Sequence, residues 1–207
     1  MERNPRTRTL RHILGCPPSF RLSERDRLFL RDLARVQIID AGTADRLHYG
    51  ALKNGAAGSL DRLVRAGILS AHQVQTSQGR VRAWSFASPR IARAWGGGIP
   101  NIGAKRTALH ELVTSRLYFA LDRPADFRVA SELTAEDRAV CRGLLPDAMY
   151  TSADGEAVLV EADSGQYTRA QIAHKQARWV GLRQVWGQPP QASARVPLAA
   201  GIEAYRL

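Results

Sequence analysis

The sequence predicts an α+β protein built in two parts, and three observations carry that expectation. The first part, through residue 95, holds three helical patterns and then one hairpin pattern. The second opens on a helical pattern and continues with short apolar runs broken by turn residues. Between them lies "ARAWGGGIPNIGAKR", residues 92–106, whose glycine triplet, proline and basic residues read as an interdomain linker over 96–106.

A chain of 207 residues with 44% hydrophobic content can bury a core for one domain or two small ones. No run approaches the roughly 18 to 20 apolar residues of a membrane helix, and "MERNPRTRTLRHILG" lacks the apolar core and cleavage site of a secretory signal. A soluble, cytoplasmic protein with no membrane partner is therefore expected. Cys16 and Cys141 lie far apart with no second Cys or His at zinc spacing, so each reads as a buried or idle thiol. A formal net charge of +11 favours a polyanionic partner, nucleic acid before a membrane surface. Only Lys53, Lys105 and Lys175 are lysines, so most of the excess is arginine. That suits phosphate and guanine edges, and equally the codon bias of a GC-rich genome.

Residues 1–21 form a basic arm with Arg3, Arg6, Arg8 and Arg11, either laid along a phosphate backbone or an uncommitted tail. In "LSERDRLFLRDLARVQII", Ser23 is a candidate N-cap, and Leu28, Leu30, Leu33 and Val36 give a helical face. "DAGTADRLHYG" offers Thr43 as the cap of a short helix through Leu47, and "NGAAGSLDRLVRAGIL" a third helix ended by Gly67. "ILSAHQVQTSQGRVRAWSF" alternates over 70–75 and 80–86 around Ser77, Gln78 and Gly79, which is a β-hairpin pattern. Three helices followed by a hairpin bearing Gln78, Arg80 and Arg82 resemble a winged helix-turn-helix over residues 22–95. The resemblance implies DNA binding, with the third helix in the major groove and Lys53, Ser59, Arg62, Arg65, Arg80 and Arg82 facing DNA. Arg65 could instead cap the helix, and such a domain also serves as a protein-interaction or dimer module.

Over 107–207, "RTALHELVTSRLYFALDR" sets Leu109, Leu112, Val113, Leu117 and Leu121 on one helical face, with His110 and Glu111 near its start. "DFRVASELT", "GLLPDAMYTS" and "EAVLVEADS" read as strands. "GQYTRAQIAHKQARWVGLRQVWG" reads as a second long helix, with Ile172, Trp179, Leu182 and Val185 as apolar contacts. A last strand is expected over 195–205. The plan is an α/β domain with a central sheet flanked by helices. Asp154-Gly155 is a turn signal between the runs 147–152 and 156–161, so Asp147 comes opposite Glu161. Alternation then puts Glu161 and Asp163 on one face. Three carboxylates so placed raise one another's pKa unless a cation sits between them. Mg²⁺ or Mn²⁺ is the economical candidate, because either can activate a water and stabilise the leaving group of a phosphodiester. Taken singly, Asp147 reads as a strand or turn cap and Glu161 as the partner of an arginine. His110 and His174 are candidates to line the cleft. Tyr118, Tyr150 and Tyr167 are weighed as covalent nucleophiles, but no His cluster accompanies any of them in the sequence.

The Pro-Asp of "LLPDAMY", the Glu-x-acid of "AVLVEADSG" and the helical "HEL" resemble the PD-(D/E)XK nuclease superfamily. Its third position is commonly Lys, here Asp163, and Lys175 is a candidate relocated lysine on the following helix. A winged helix joined to such a domain resembles the MOBC class of plasmid mobilisation relaxases and the related replication-relaxation proteins, over residues 22–186. That resemblance implies metal-dependent DNA nicking, with Asp147, Glu161 and Asp163 as metal ligands or catalytic acids, Glu111 a fourth, and Mg²⁺ or Mn²⁺ as cofactor. It implies double-stranded DNA as partner, with other relaxosome or replication proteins, or a second copy of the chain in a homodimer, as further candidates. The alternatives are an inactive nuclease fold acting as an accessory or regulatory DNA-binding protein, and a transcriptional repressor whose second domain senses a ligand or dimerises.

Overall fold

The computed structural model describes residues 20–100, 102, 105–165, 167–188, 198–199 and 201–207. The chain is mixed α+β with two sheets and divides into two units, Met1–Asn101 and Ile102–Leu207, a boundary inside the expected linker. The expected basic arm lies, through Ser19 and with Cys16, outside the described residues. No helix among the described residues is long and apolar enough to cross a membrane.

In the first unit, α1 (Glu24–Val36) opens on a reciprocal cap. Ser23 Oγ accepts from the Asp26 amide at 3.2 Å, and Asp26 Oδ2 accepts from the Ser23 amide at 2.7 Å. Phe29, Leu30, Leu33, Ala34 and Val36 form the buried stripe. Leu28, expected on that face, is 45% exposed. After β1 (Ile39–Asp40), the short α2 (Ala41–Ala44) is capped by Asp40, whose Oδ1 accepts from the Thr43 amide at 2.8 Å. Thr43 is therefore the capped residue and not the expected cap, because the Asp three residues earlier reaches its amide. A π-helical turn, Asp45–Tyr49, leads to α3 (Gly55–Arg65), and Gly67 at φ 70° ends that helix in the left-handed region. The hairpin β2 (Leu69–Thr76) and β3 (Gly79–Phe86) pairs antiparallel from Leu69↔Phe86 to Thr76↔Gly79. β1 pairs with the outer side of β3, giving the order β1-β3-β2. α4 (Pro89–Ala94), capped by Ser88, occupies part of the stretch read as the approach to a linker. The glycine triplet beyond it is packed: a Cβ on Gly97 would lie 2.3 Å from the Ala34 carbonyl oxygen of α1. Gly97 is thus required for close backbone approach, a role that flexible-linker composition conceals.

In the second unit the elements run α5 (Lys105–Ala120), β4 (Arg128–Val129), a 3₁₀ turn (Ala130–Glu132), α6 (Ala135–Val140), β5 (Ala148–Thr151) and β6 (Ala157–Ala162). They continue with α7 (Arg169–Arg178), β7 (Arg183–Gln188) and β8 (Glu203–Arg206). The sheet order is β4-β5-β6-β7-β8, with β4, β5 and β6 antiparallel and β6, β7 and β8 parallel. The long helix expected over 166–187 is a correction: α7 ends at Arg178, Gly181 turns the chain at φ 80°, and the second half becomes β7. β7 reads RQVWGQ, and its two large apolar residues, Val185 and Trp186, are too few to set a period that separates strand from helix. The last strand keeps only the end of its expected range, and 191–197 and 200 lie outside the described residues.

Alternation along β7 sets the two faces of the sheet. Trp186 packs with Met149, Leu159, Ile172 and Trp179 on the α7 side, whereas a Cβ on Gly187 would lie 2.6 Å from Leu117 of α5. α5 and α7 therefore cover opposite faces.

Gly97→Ala is expected to lower the stability of the first unit by about 1–3 kcal/mol, since the added methyl meets backbone and not a yielding side chain. A thermal melt that matches wild type would refute the close approach.

Candidate active site and candidate nucleic-acid interface

The register of the β5–β6 hairpin, with Ala148 opposite Val160, sets Asp147 opposite Glu161 as the sequence suggested. The Asp147 amide donates to the Val160 carbonyl at 3.0 Å, and the Ala130 amide donates to the Asp147 carbonyl at 2.8 Å, so its backbone is pinned from both neighbouring strands. Its side chain is pinned as well. Oδ2 accepts from the Ala162 amide at 2.7 Å, and Oδ1 lies 2.8 Å from His110 Nε2 of α5. Burial alone would raise its pKa, but the His110 hydrogen bond and charge, Lys175 and the Ala162 amide together hold it below the ordinary Asp value.

Glu161, near the end of β6, is 0% exposed. Its Oε1 is bonded to Lys175 Nζ from α7 and accepts from Tyr167 Oη at 2.6 Å, and Lys175 Nζ also donates to Tyr167 Oη at 3.0 Å. The ammonium lies 4.7 Å from the Tyr167 ring centroid and 5.5 Å from that of Trp179. Glu161 Oε2 is buried with no hydrogen-bond partner. Burial, followed by the charge of Asp147, pushes the Glu161 carboxyl up to about 8 against the pull of Lys175 and Tyr167. The same surroundings raise the Tyr167 phenol, burial first and then the carboxylates, so Tyr167 is held as a hydrogen-bond donor.

Asp163 is buried at 2% exposure and its Oδ1 accepts from the Gly165 amide at 2.8 Å, closing the turn after β6. Glu111 adjoins the cluster on α5: burial raises its pKa, the His110 charge opposes, and the Asp147 charge adds. The residue of α5 that bonds Asp147 is nonetheless its neighbour His110. His174 is exposed on α7, and Tyr118 packs against Phe119 and Phe127.

Among the described residues, no three His, Cys, Asp or Glu side chains are gathered as a group able to hold a metal ion, so the three-carboxylate cage expected from Asp147, Glu161 and Asp163 is not formed as such. The physical reason is that Asp163 turns to its own loop while Lys175 takes one oxygen of Glu161. Asp147 and Glu161 still face each other across the hairpin, and Glu161 Oε2 is the one oxygen of the pair without a hydrogen-bond partner. The roles of His110 and Tyr167 had no spacing signal. Lys175 had one, as the only lysine after the Pro-Asp.

In the first unit the expected DNA-facing residues separate into two sets. Lys53, Arg65 and Arg80 are exposed, and Ser59 is half-buried. Arg62 is committed internally: it bonds Asp26, donates to the Arg21 carbonyl at 3.0 Å and lies over the Phe20 ring. Arg82 pairs with Asp61 of α3 and lies over Trp84. Their sequence positions suit DNA, but Asp26 and Asp61 take up both guanidinium groups.

Comparison with family models, with curated proteins and with solved structures finds no match to this chain.

Two outcomes follow from these pairings. Arg62→Ala leaves the Asp26 carboxylate buried at 1% exposure without its cation, and should cost on the order of 1–3 kcal/mol in the melting of the first unit. For Glu161, the folded chain holds a proton that the unfolded chain has released between its ordinary 4.5 and about 8, so stability falls as pH rises through that window. Glu161→Gln cannot ionise, and its Tm should vary less than wild type between pH 5 and pH 9 in metal-free buffer, on the order of the few-degree shifts single changes produce. An unchanged pH dependence would refute the raised carboxyl.

Proposed function

We propose that this chain is a DNA-binding protein of a plasmid or other mobile element, in which a winged helix-turn-helix engages DNA and a PD-(D/E)XK-like domain nicks one strand with Mg²⁺ or Mn²⁺. The observation that carries the reading is the bond between Lys175 and Glu161 across from Asp147. The superfamily that "PD" and "VEAD" resemble commonly has a lysine beside its acids. In this chain α7 brings Lys175 to Glu161 Oε1, which supports reading it as the relocated lysine. Support for the first unit comes from its element order, α1-β1-α2-α3-β2-β3 with sheet order β1-β3-β2, and from the exposed Lys53, Arg65 and Arg80 along α3 and the hairpin. The charge of +11 supports a nucleic-acid partner under either fate of the second unit.

In the proposed reaction Asp147 and Glu161 would hold the divalent cation, which when bound would polarise the scissile phosphate and a water. The chain's own groups do the rest. Glu161 Oε2 is the open oxygen, Asp147 is kept ionised by His110, and the Lys175 ammonium lies where it can offset the negative charge that develops on the phosphate. Tyr167 and Trp179 restrict the lysine to that spot.

A second reading has its own observation. Glu161 Oε1 and both Asp147 oxygens are already bonded within the protein, as in a nuclease fold that has become an accessory or regulatory DNA-binding protein. Supercoiled plasmid incubated with the protein and Mn²⁺ separates the two. Nicking is expected, falling on the order of 10²-fold or more in Asp147→Ala, Glu161→Ala and Lys175→Ala with DNA affinity retained. Retained binding with no nicking by wild type would leave the accessory reading.

A further inference from the structure

The α5 helix reaches the cluster through the histidine of its "HEL" and not through the glutamate to which the resemblance gives a role. Its acidic residue, Glu111, is the one the nuclease resemblance points to. His110 Nε2 is the atom placed 2.8 Å from Asp147 Oδ1. A carboxylate can only accept, so the imidazole donates this bond. The other oxygen of the same carboxylate accepts from the Ala162 amide at 2.7 Å, a donor fixed by the β6–β7 ladder. Two donors from different elements thus act on one carboxylate, one on each oxygen. Rotation about its last torsion would break at least one bond. His110 is itself supported from below, as Thr114 Oγ1 donates to its carbonyl at 3.1 Å one helical turn on.

We propose that His110 is a positioning residue for the nicking reaction: it fixes the orientation of the Asp147 carboxylate, so that the plane presented toward Glu161 does not rotate between turnovers. The inference rests on the reading of this cluster as a nuclease site. It adds that α5 contributes to the reaction through His110 acting on Asp147. An outer partner that orients a ligating carboxylate is worth roughly 10- to 100-fold in metal affinity or activity when removed. Such a loss lies between that of deleting the acid itself and that of an ordinary surface change.

The test uses the full-length protein, supercoiled plasmid and Mn²⁺, with His110→Ala and His110→Gln beside wild type. Gln keeps an N–H donor on a side chain long enough to approach the place of Nε2. The expected result is a His110→Ala protein whose DNA affinity matches wild type, whose melt falls modestly because Asp147 loses a partner, whose single-turnover nicking rate is lower by about 10- to 100-fold, and whose apparent Mn²⁺ requirement is raised. His110→Gln should recover most of the rate. If His110→Ala nicks at the wild-type rate and Mn²⁺ requirement, the positioning role is overturned while the nuclease reading stands. Should His110→Gln be as slow as His110→Ala with its melt intact, orientation by a donated hydrogen bond is overturned. If His110→Ala lowers the melt and His110→Gln restores the melt but not the rate, the role is structural and the proposal fails. A wild-type protein that neither nicks nor binds Mn²⁺ by calorimetry would overturn the nuclease reading itself, and this inference with it.

Discussion

The second unit depends on keeping one ionisable carboxyl dry. Glu161 sits on the middle strand of a five-stranded sheet at 0% exposure, where an unpaired carboxylate costs several kcal/mol. The surrounding elements are arranged to offset that. α7 is capped by Thr168 and ends by Arg178, so that Tyr167 stands just before its start and Lys175 faces inward near its end. The short helix also allows the chain to turn at Gly181 and return as β7 beside β6, which places Trp186 in register with Glu161. A longer α7 would have left no strand to wall the carboxylate in.

The first unit has a counterpart, and the contrast between the two separates a structural pair from a site. Asp26 is also buried and also takes a cation from a helix later in the chain, Arg62 of α3. There every donor finds a place. Tyr49 Oη donates to Oδ1 at 3.2 Å, and the Ser23 amide and Arg62 share Oδ2. Nothing on that carboxylate is left over, and its work is to tie α1 to α3 and the π-helical turn. Glu161 has the same ingredients, a cation and a phenol, but both act on Oε1 and leave Oε2 without a partner. An unsatisfied buried oxygen is expensive enough that native structures seldom retain one without a use for it. The Asp26 carboxylate is thus fully satisfied, whereas Glu161 keeps one unpartnered oxygen.

The sequence made the local devices legible and the tertiary substitutions illegible. Ser23 as a cap, Gly67 as a stop, the hairpin at Gly79 and the Asp154-Gly155 turn were all readable because each is decided within a few residues. The Asp147–Glu161 register followed from that turn alone. β7 was misread because Val185 and Trp186 are its only large apolar residues and the burial of Gln184 and Gln188 is decided by the sheet, not by local pattern. The glycine triplet was misread because the composition of a flexible segment and that of a backbone packed against α1 are the same. The winged-helix resemblance points Arg62 and Arg82 at DNA, and their pairing with Asp26 and Asp61 was not readable because it joins residues far apart in the chain. His110 was a candidate to line the cleft, but its bond to Asp147 was not readable, since a histidine beside a glutamate on a helix is ordinary until the fold brings Asp147 to it.

The identity of the cation at position 175 is itself informative in a chain that uses only three lysines. An arginine there would present a planar fork of donors suited to both oxygens of a carboxylate at once. It would satisfy Glu161 completely, as a stability device should, and would leave no open donor for a metal or a phosphate. An ammonium is a compact point charge, and between the rings of Tyr167 and Trp179 it bonds Oε1 and the phenol while sparing Oε2. Lysine thus bonds one oxygen of Glu161 and leaves the other unpartnered. Its positive charge pulls the Glu161 carboxyl down, but burial and the charge of Asp147 outweigh it and leave that carboxyl at about 8.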